Sequence, residues 1–337
     1  MSTEPRNQPA LGTSSGERRK AVVLVNDLAP HAYALNWIEA CSQGLGPNVE
    51  VSLVRVIGFD AVRKAAAAAA ADGVWLILSV GGDGTAFAVI NGVGSLPTRI
   101  CVLPGGTANQ LVYNLGQSFN LAENAKRLGE YEPIAIDAMR VNGTRFASLT
   151  LVGWMGDALI AFNRLRANSF WKRVTRPLGA LMYFAIAFWL LRKSDAIGGP
   201  MHISYVDAKD NTTKTIDTDA YLLSIMGPPT INEENTKLVP YSDMADGKME
   251  VLILPRTNRR RLIATLGAMA KGNHLSFPEI QHFQTTKMEI SLGRKLDFCV
   301  DGEEFPHSEK YVFDIDPAPI LMLAPRGRRP GSPKLST

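Results

Sequence analysis

Four short apolar runs rich in β-branched residues mark the first third of the chain: Lys20 to Val25, Val49 to Val56, Trp75 to Val80 and Arg99 to Leu103. Each reads as a buried strand. Helical stretches separate most of them, namely the alanine-rich Asp60 to Ala71, then Thr85 to Val93, Thr107 to Leu115 and Leu121 to Leu128. Strands alternating with helices predict a doubly wound, mainly parallel sheet. After about Pro133 strand follows strand: Ile134 to Val141, Arg145 to Val152, Met201 to Val206, Tyr221 to Met226, Lys248 to Leu254 and Leu296 to Val300. That texture predicts an antiparallel, β-sandwich-like domain with few helices. Tyr311 to Ile315 and Pro319 to Ala324 read as strands again, returning to complete the first domain.

The chain has 337 residues, more than one hydrophobic core usually organises, so two domains are expected. The fold class is α/β plus β: an α/β domain over 19–132 completed by 311–325, and a β-rich domain over 133–310. Residues 1–18, rich in Ser, Gly, Pro and charge, read as disordered, and 326–337 as a flexible basic tail. The longest apolar run, Leu178 to Leu191, falls short of a membrane span.

The net charge of +4 is a mild bias, without the clustered basic face of a nucleic-acid binder. Cys41, Cys101 and Cys299 are far apart and odd in number, which fits a reduced cytosol better than a disulfide framework or a zinc site. The five histidines lack ligand spacing.

Chemistry concentrates in two glycine loops. Gly81-Gly82-Asp83-Gly84-Thr85 lies directly between an apolar strand and a helix. Glycines there let backbone N–H groups approach phosphate oxygens, and the helix N-terminus adds partial positive charge. Asp83 would repel phosphates unless it engages a metal ion or takes a proton from an attacking hydroxyl; as an alternative, it caps a helix. Pro104-Gly105-Gly106-Thr107-Ala108-Asn109 repeats the strand–glycine–helix arrangement, and two such turns on successive strands flank one crevice. Thr107 and Asn109 can donate to phosphate or ribose oxygens or cap the helix. No GxxxxGK[ST] occurs and no GxGxxG follows the first strand, which argues against P-loop enzymes and dinucleotide dehydrogenases. Asp301-Gly302-Glu303 and Asp243 to Gly247 read, on residues alone, as a hairpin turn and an acidic turn.

GGDGT followed by PGGTAN resembles the catalytic domain of the diacylglycerol and sphingosine kinase family. The resemblance continues through Ile136-Asp137, Gly153 to Asp157, Gly179 to Tyr183, Pro240 to Gly247 and Val300 to Glu303. It implies that ATP phosphates lie along Gly81, Gly82, Asp83, Gly84 and Thr85 and at Gly105, Gly106, Thr107 and Asn109. It also implies that Glu303 accepts the proton, with Asp83 the alternative base and Asp301 beside them. Mg²⁺ is implied at Asp243, Asp246 and Lys248, the last through its backbone because an ammonium cannot be a ligand. Two departures stand out: Asn26-Asp27-Leu28-Ala29-Pro30-His31 replaces the family's Asn-Pro loop, and Gly227-Pro228-Pro229-Thr230 replaces a glycine cluster ahead of the metal segment.

Trp171 to Lys193 brackets its apolar run with Lys172, Arg173, Arg176, Arg192 and Lys193. It resembles an interfacial anchor, needing burial, lipid or a partner chain; a homodimer is open. The sequence therefore predicts an ATP- and Mg²⁺-dependent kinase acting on a lipid hydroxyl, cytoplasmic and peripheral to the inner face of the membrane. A soluble NAD kinase and a catalytically silent nucleotide- or lipid-binding regulator are the alternatives.

Overall fold

The computed structural model describes residues 18–106, 109–167, 189, 198–229, 238–270 and 272–327. Strands β1 (Arg19–Asn26), β2 (Val49–Val56), β3 (Leu76–Gly81) and β4 (Arg99–Pro104) pair in parallel in the order β4-β3-β1-β2. β3 is buried along its whole length, which is why Leu76 to Val80 is almost continuously apolar. Helices α2 (Phe59–Ala71), α3 (Asp83–Val93) and α4 (Gln110–Asn114) cover one face through Val62, Ala66, Ile90 and Val112. Helices α1 (Trp37–Leu45) and α5 (Leu121–Lys126) cover the other through Trp37, Cys41 and Ala125. This is the doubly wound arrangement expected from alternation. The alanines of α2 let it lie close to α3, where a methyl on Gly92 would come 2.7 Å from Ala66 Cβ.

The rest of the chain is an antiparallel β-rich domain: β5 (Tyr131–Val141), β6 (Thr144–Phe146), β7 (Leu149–Gly153), β8 (Gly199–Asp207), β9 (Thr213–Met226), β10 (Met249–Pro255), β11 (Gln281–Leu292), β12 (Phe298–Val300), β13 (Glu303–Glu304) and β14 (Lys310–Pro325). Helix α6 (Trp154–Ala167) and a helix over Arg259–Ala270 pack outside it through Ile160 and Leu262. The main pairing path runs β13-β12-β7-β9-β10-β11-β14-β4-β3-β1-β2. β14 carries it between the two halves, since Lys310–Asp314 pair with β11 and Met322 pairs in parallel with Ile100 of β4.

Several elements differ from expectation, each for a physical reason. The single strand read over Arg145 to Val152 is broken between β6 and β7, because three successive amides at 147–149 turn to a carboxylate far along the chain. The strand read from Tyr221 is the second half of β9, whose first half, Thr213–Asp219, alternates exposed with half-buried positions and carries little apolar signal. β11 is similarly polar and is not among the strands read from the sequence. The apolar run Leu178 to Leu191 lies outside the described residues except for the exposed Trp189. Among the described residues no helix is long and apolar enough to cross a membrane.

An aromatic cluster fills the β-rich core. Phe298 stacks on Tyr311 with centroids 4.3 Å apart and meets Phe305 at 5.6 Å, all beneath the 301–304 turn. Phe298→Ala is expected to lower the unfolding free energy by about 3–5 kcal/mol. Denaturant titration checks this, and a loss below about 1 kcal/mol would mean that the cluster does not hold the turn's base.

Candidate active site

The two glycine loops leave the carboxyl ends of adjacent strands β3 and β4 and touch backbone to backbone. Gly105 N–H donates to Gly81 O at 2.9 Å. A methyl on Gly105 would lie 2.8 Å from Gly81 N, and one on Gly106 would overlap Gly82 Cα. No side chain fits between them, so the glycines are fixed by contact as well as by any ligand. Asn109 adopts the left-handed conformation with φ 48° and closes the second loop on itself, accepting from Gly106 N–H at 3.0 Å and donating to Gly106 O at 3.1 Å. Thr107 lies outside the described residues.

Asp83 opens α3, but its carboxylate serves the neighbouring helix: Oδ1 accepts from Gln110 N–H at 2.7 Å. Burial pushes its pKa up to about 6, opposed by the amides of Gln110, Leu111, Asp83 and Asn109. The capping role considered from sequence is thus exercised across the crevice, joining the first loop to the second. Thr85 Oγ1 accepts from Asn26 Nδ2 at 3.2 Å, while Asn26 Oδ1 accepts from Leu28 N–H and Gly58 N–H. The altered loop after β1 therefore remains tied to GGDGT.

Asp301 and Gly302 form the two-residue turn between β12 and β13, with φ values of 45° and 88°. Positive φ at both positions is what a tight hairpin requires, and Asp-Gly supplies it. The Asp301 carboxylate is buried, and its two oxygens accept from Ala147, Ser148 and Leu149 N–H groups, each at 2.9 Å. Its pKa is pushed up to about 6 by burial, against the pull of those amides, with the charge of Asp83 adding to the rise. The turn presents Glu303 to α3, where a methyl on Gly84 would overlap Glu303 Oε1. Glu303 is exposed at the rim, yet desolvation by the surrounding protein raises its pKa above the usual glutamate range.

The structure thus assembles Gly81, Gly82, Asp83, Gly84, Thr85, Gly105, Gly106 and Asn109 with Asp301 and Glu303. The acidic turn is anchored separately, on β5: Asp137 Oδ2 accepts from Gly247 N–H, and Asp137 N–H donates to Met244 O, both at 2.7 Å. Asp243 Oδ1 accepts from Ala245 N–H and Asp246 Oδ1 from Lys248 N–H, while Lys248 Nζ stands 3.6 Å from Asp246 Oδ2. Both carboxylates thus have Oδ1 engaged by a backbone amide, and Asp246 Oδ2 is paired with the Lys248 ammonium. No cluster of three or more metal-ligating side chains occurs among the described residues.

Asp157, in the first turn of α6, has its pKa pushed up to about 7 by burial and by Asp297, against Arg294. Asp157 is the fourth residue of a helix that begins at Trp154, so its setting differs from that of Asp83, which opens α3.

Comparisons with known proteins bear on this fold and crevice. The diacylglycerol kinase catalytic domain matches residues 20–141 and the YegS C-terminal NAD kinase beta sandwich-like domain matches 166–324. The α/β part of the chain, residues 20–141, is thus similar to the diacylglycerol kinase catalytic domain. A diacylglycerol kinase of Staphylococcus haemolyticus is 23% identical over 230 residues, covering 68% of this chain and 64% of the relative, so the match spans just under two thirds of that protein. A diacylglycerol kinase of Bacillus subtilis is 25% identical over 233 residues, covering 68% and 71%. A crystal structure of a diacylglycerol kinase from Bacillus anthracis shares the fold, with a TM-score of 0.63 at 16% identity over 92% of this chain and 98% of that one.

The Asp83 pKa of about 6 in the fold exceeds the ordinary 3.8. Between about pH 4 and pH 6 the folded chain holds a proton that the unfolded chain has released, so this group's contribution to stability falls as pH rises through that window and levels above it. Asp83→Asn removes the dependence. Urea titrations should give a wild-type-minus-variant stability difference that declines from pH 4 to pH 7; a difference constant across that range would contradict the burial of an ionisable Asp83.

Proposed function

We propose that the chain is an ATP- and Mg²⁺-dependent lipid kinase that transfers the γ-phosphoryl group to a hydroxyl of a membrane lipid, diacylglycerol, ceramide or another long-chain alcohol. The observation that carries this reading is the seating of the Glu303 carboxylate against Gly84, at the mouth of the two facing glycine loops. The names of the relatives point the same way.

In this reading the phosphates lie along Gly81 to Thr85 at the start of α3, with Thr107, while the Gly105 and Gly106 amides, engaged with Gly81 O and Asn109 Oδ1, brace the second loop against the first. Glu303 accepts the proton of the acceptor hydroxyl as its oxygen attacks the γ-phosphorus. The bond from that phosphorus to the β–γ bridging oxygen breaks, and ADP leaves. Asp83 holds the second loop through Gln110, and Asp301 holds the hairpin that carries Glu303, so both position rather than accept the proton. Mg²⁺ at Asp243, Asp246 and the Lys248 backbone would supply charge neutralisation at the acidic turn.

A membrane acceptor is supported by apolar exposure beside the crevice. Leu28 and Ile57, 58% and 66% exposed, follow the carboxyl ends of β1 and β2, on the same sheet edge as both glycine loops, and Phe59 leans on Phe87 of α3. Such a rim suits a chain peripheral to the inner face of the membrane.

The test is transfer of labelled γ-phosphate to diacylglycerol, ceramide, sphingosine and NAD in parallel. Label in a lipid, reduced about 10²- to 10⁴-fold in Glu303→Gln, is expected; label in NAD alone would overturn the lipid reading. Because the Glu303 pKa is raised and a base works ionised, kcat/KM should climb with pH through a limb displaced above the ordinary glutamate range. A limb at the ordinary value would remove Glu303 as the base.

A further inference from the structure

Glu303 and the phosphate loop belong to different halves of the molecule, so their separation depends on whatever locks α3 to the β-rich domain. Among the described residues, Phe87 of α3 packs into the β-rich core, and the Asn91 side chain hydrogen-bonds across the junction. Asn91, two turns along α3 from Gly84, donates from Nδ2 to Arg145 O at 2.8 Å and accepts at Oδ1 from Arg145 N–H at 3.0 Å. Its amide pairs with both backbone groups of one β6 residue, as a neighbouring strand would, and Nδ2 also meets Phe87 O at 2.9 Å within α3. Arg145 is itself immobilised: its side chain is buried, donates to Ala318 O at 2.5 Å and lies 3.4 Å from Asp316 on β14.

Two residues beyond Arg145 begin the three amides, 147 to 149, that hold the Asp301 carboxylate. Asp301 is two residues before Glu303, and Glu303 returns to Gly84 on α3. The path from α3 through Asn91, Arg145, the 147–149 amides, Asp301 and Glu303 back to α3 is a closed circuit. Every non-covalent link in it up to Asp301 is a hydrogen bond to main chain, which fixes direction as well as distance.

We propose that Asn91 is a positioning residue that sets where Glu303 stands over the glycine loop, by locking α3 to the backbone of the segment that holds the Asp301 hairpin. Its catalytic consequence rests on the kinase reading of the site; the mechanical linkage does not. Removing the Asn91 amide leaves both loops and Glu303 intact but frees α3 to shift against the hairpin. A displacement near 1 Å between base and substrate can lower turnover by up to about 10²-fold.

The test uses the full chain with Asn91→Ala and, should that variant fold poorly, Asn91→Asp, which keeps the acceptor for Arg145 N–H. Amide hydrogen exchange should accelerate at least about tenfold at 145 and 147–149, with the remote Asp207–Thr213 hairpin unchanged. Unchanged protection at 145–149 would overturn the linkage. With dispersed diacylglycerol, kcat should fall about tenfold with KM for ATP within about twofold, and the same substitution in a Glu303→Gln background should cost little more. A raised KM with kcat kept, or an equal loss in both backgrounds, would overturn the positioning role. If the wild-type chain labels no lipid, the kinase reading fails while the exchange measurement still decides the linkage.

Discussion

The constraint on which the rest depends is the contact of two polypeptide backbones, Gly81-Gly82 against Gly105-Gly106, at the ends of neighbouring parallel strands. Parallel pairing of β3 with β4 brings the loops side by side, and the absence of side chains lets them touch. That contact sets the start of α3 beside the second loop. Asp83 then bridges the loops by accepting from Gln110, at the cost of holding a carboxylate in a desolvated place.

The β-rich domain completes the crevice by delivering one carboxylate into it. A two-residue turn with positive φ at both positions is a sharp and rigid support, and the buried Asp301 fixes it to the chain between β6 and β7. The same three hydrogen bonds interrupt what would otherwise be one continuous strand. β14 contributes at larger scale by pairing with β11 at one end and β4 at the other, so the halves share hydrogen bonds as well as side-chain packing.

What the sequence discloses follows from how each element is stabilised. β1, β3 and β4 are buried between helix layers and read as apolar runs, and the glycine loops announce themselves because close backbone approach admits few other residues. β11 and the first half of β9 are held by main-chain pairing with much of their side-chain surface in water, so composition conceals them. The break at 147–149 is invisible locally because its cause lies some 150 residues away. In the site, Asp83 was legible as a carboxylate among glycines, whereas Asp301-Gly302-Glu303 reads on residues alone as a turn and Glu303 gains its role only through the family resemblance. The hold of Asp301 on three amides and the pairing of Asn91 with Arg145 were not legible, since main-chain partners leave no mark on a sequence.

The most direct measurement is a crystal structure of the chain with Mg²⁺ and a non-hydrolysable ATP analogue. Phosphates along the amides of Gly81 to Thr85, with the terminal one on the Glu303 side of Gly84 and an acceptor-sized gap between them, are the expected result. Phosphates bound elsewhere, or a Glu303 carboxylate turned away from the terminal phosphate, would contradict the assignment of this crevice as the place of phosphoryl transfer.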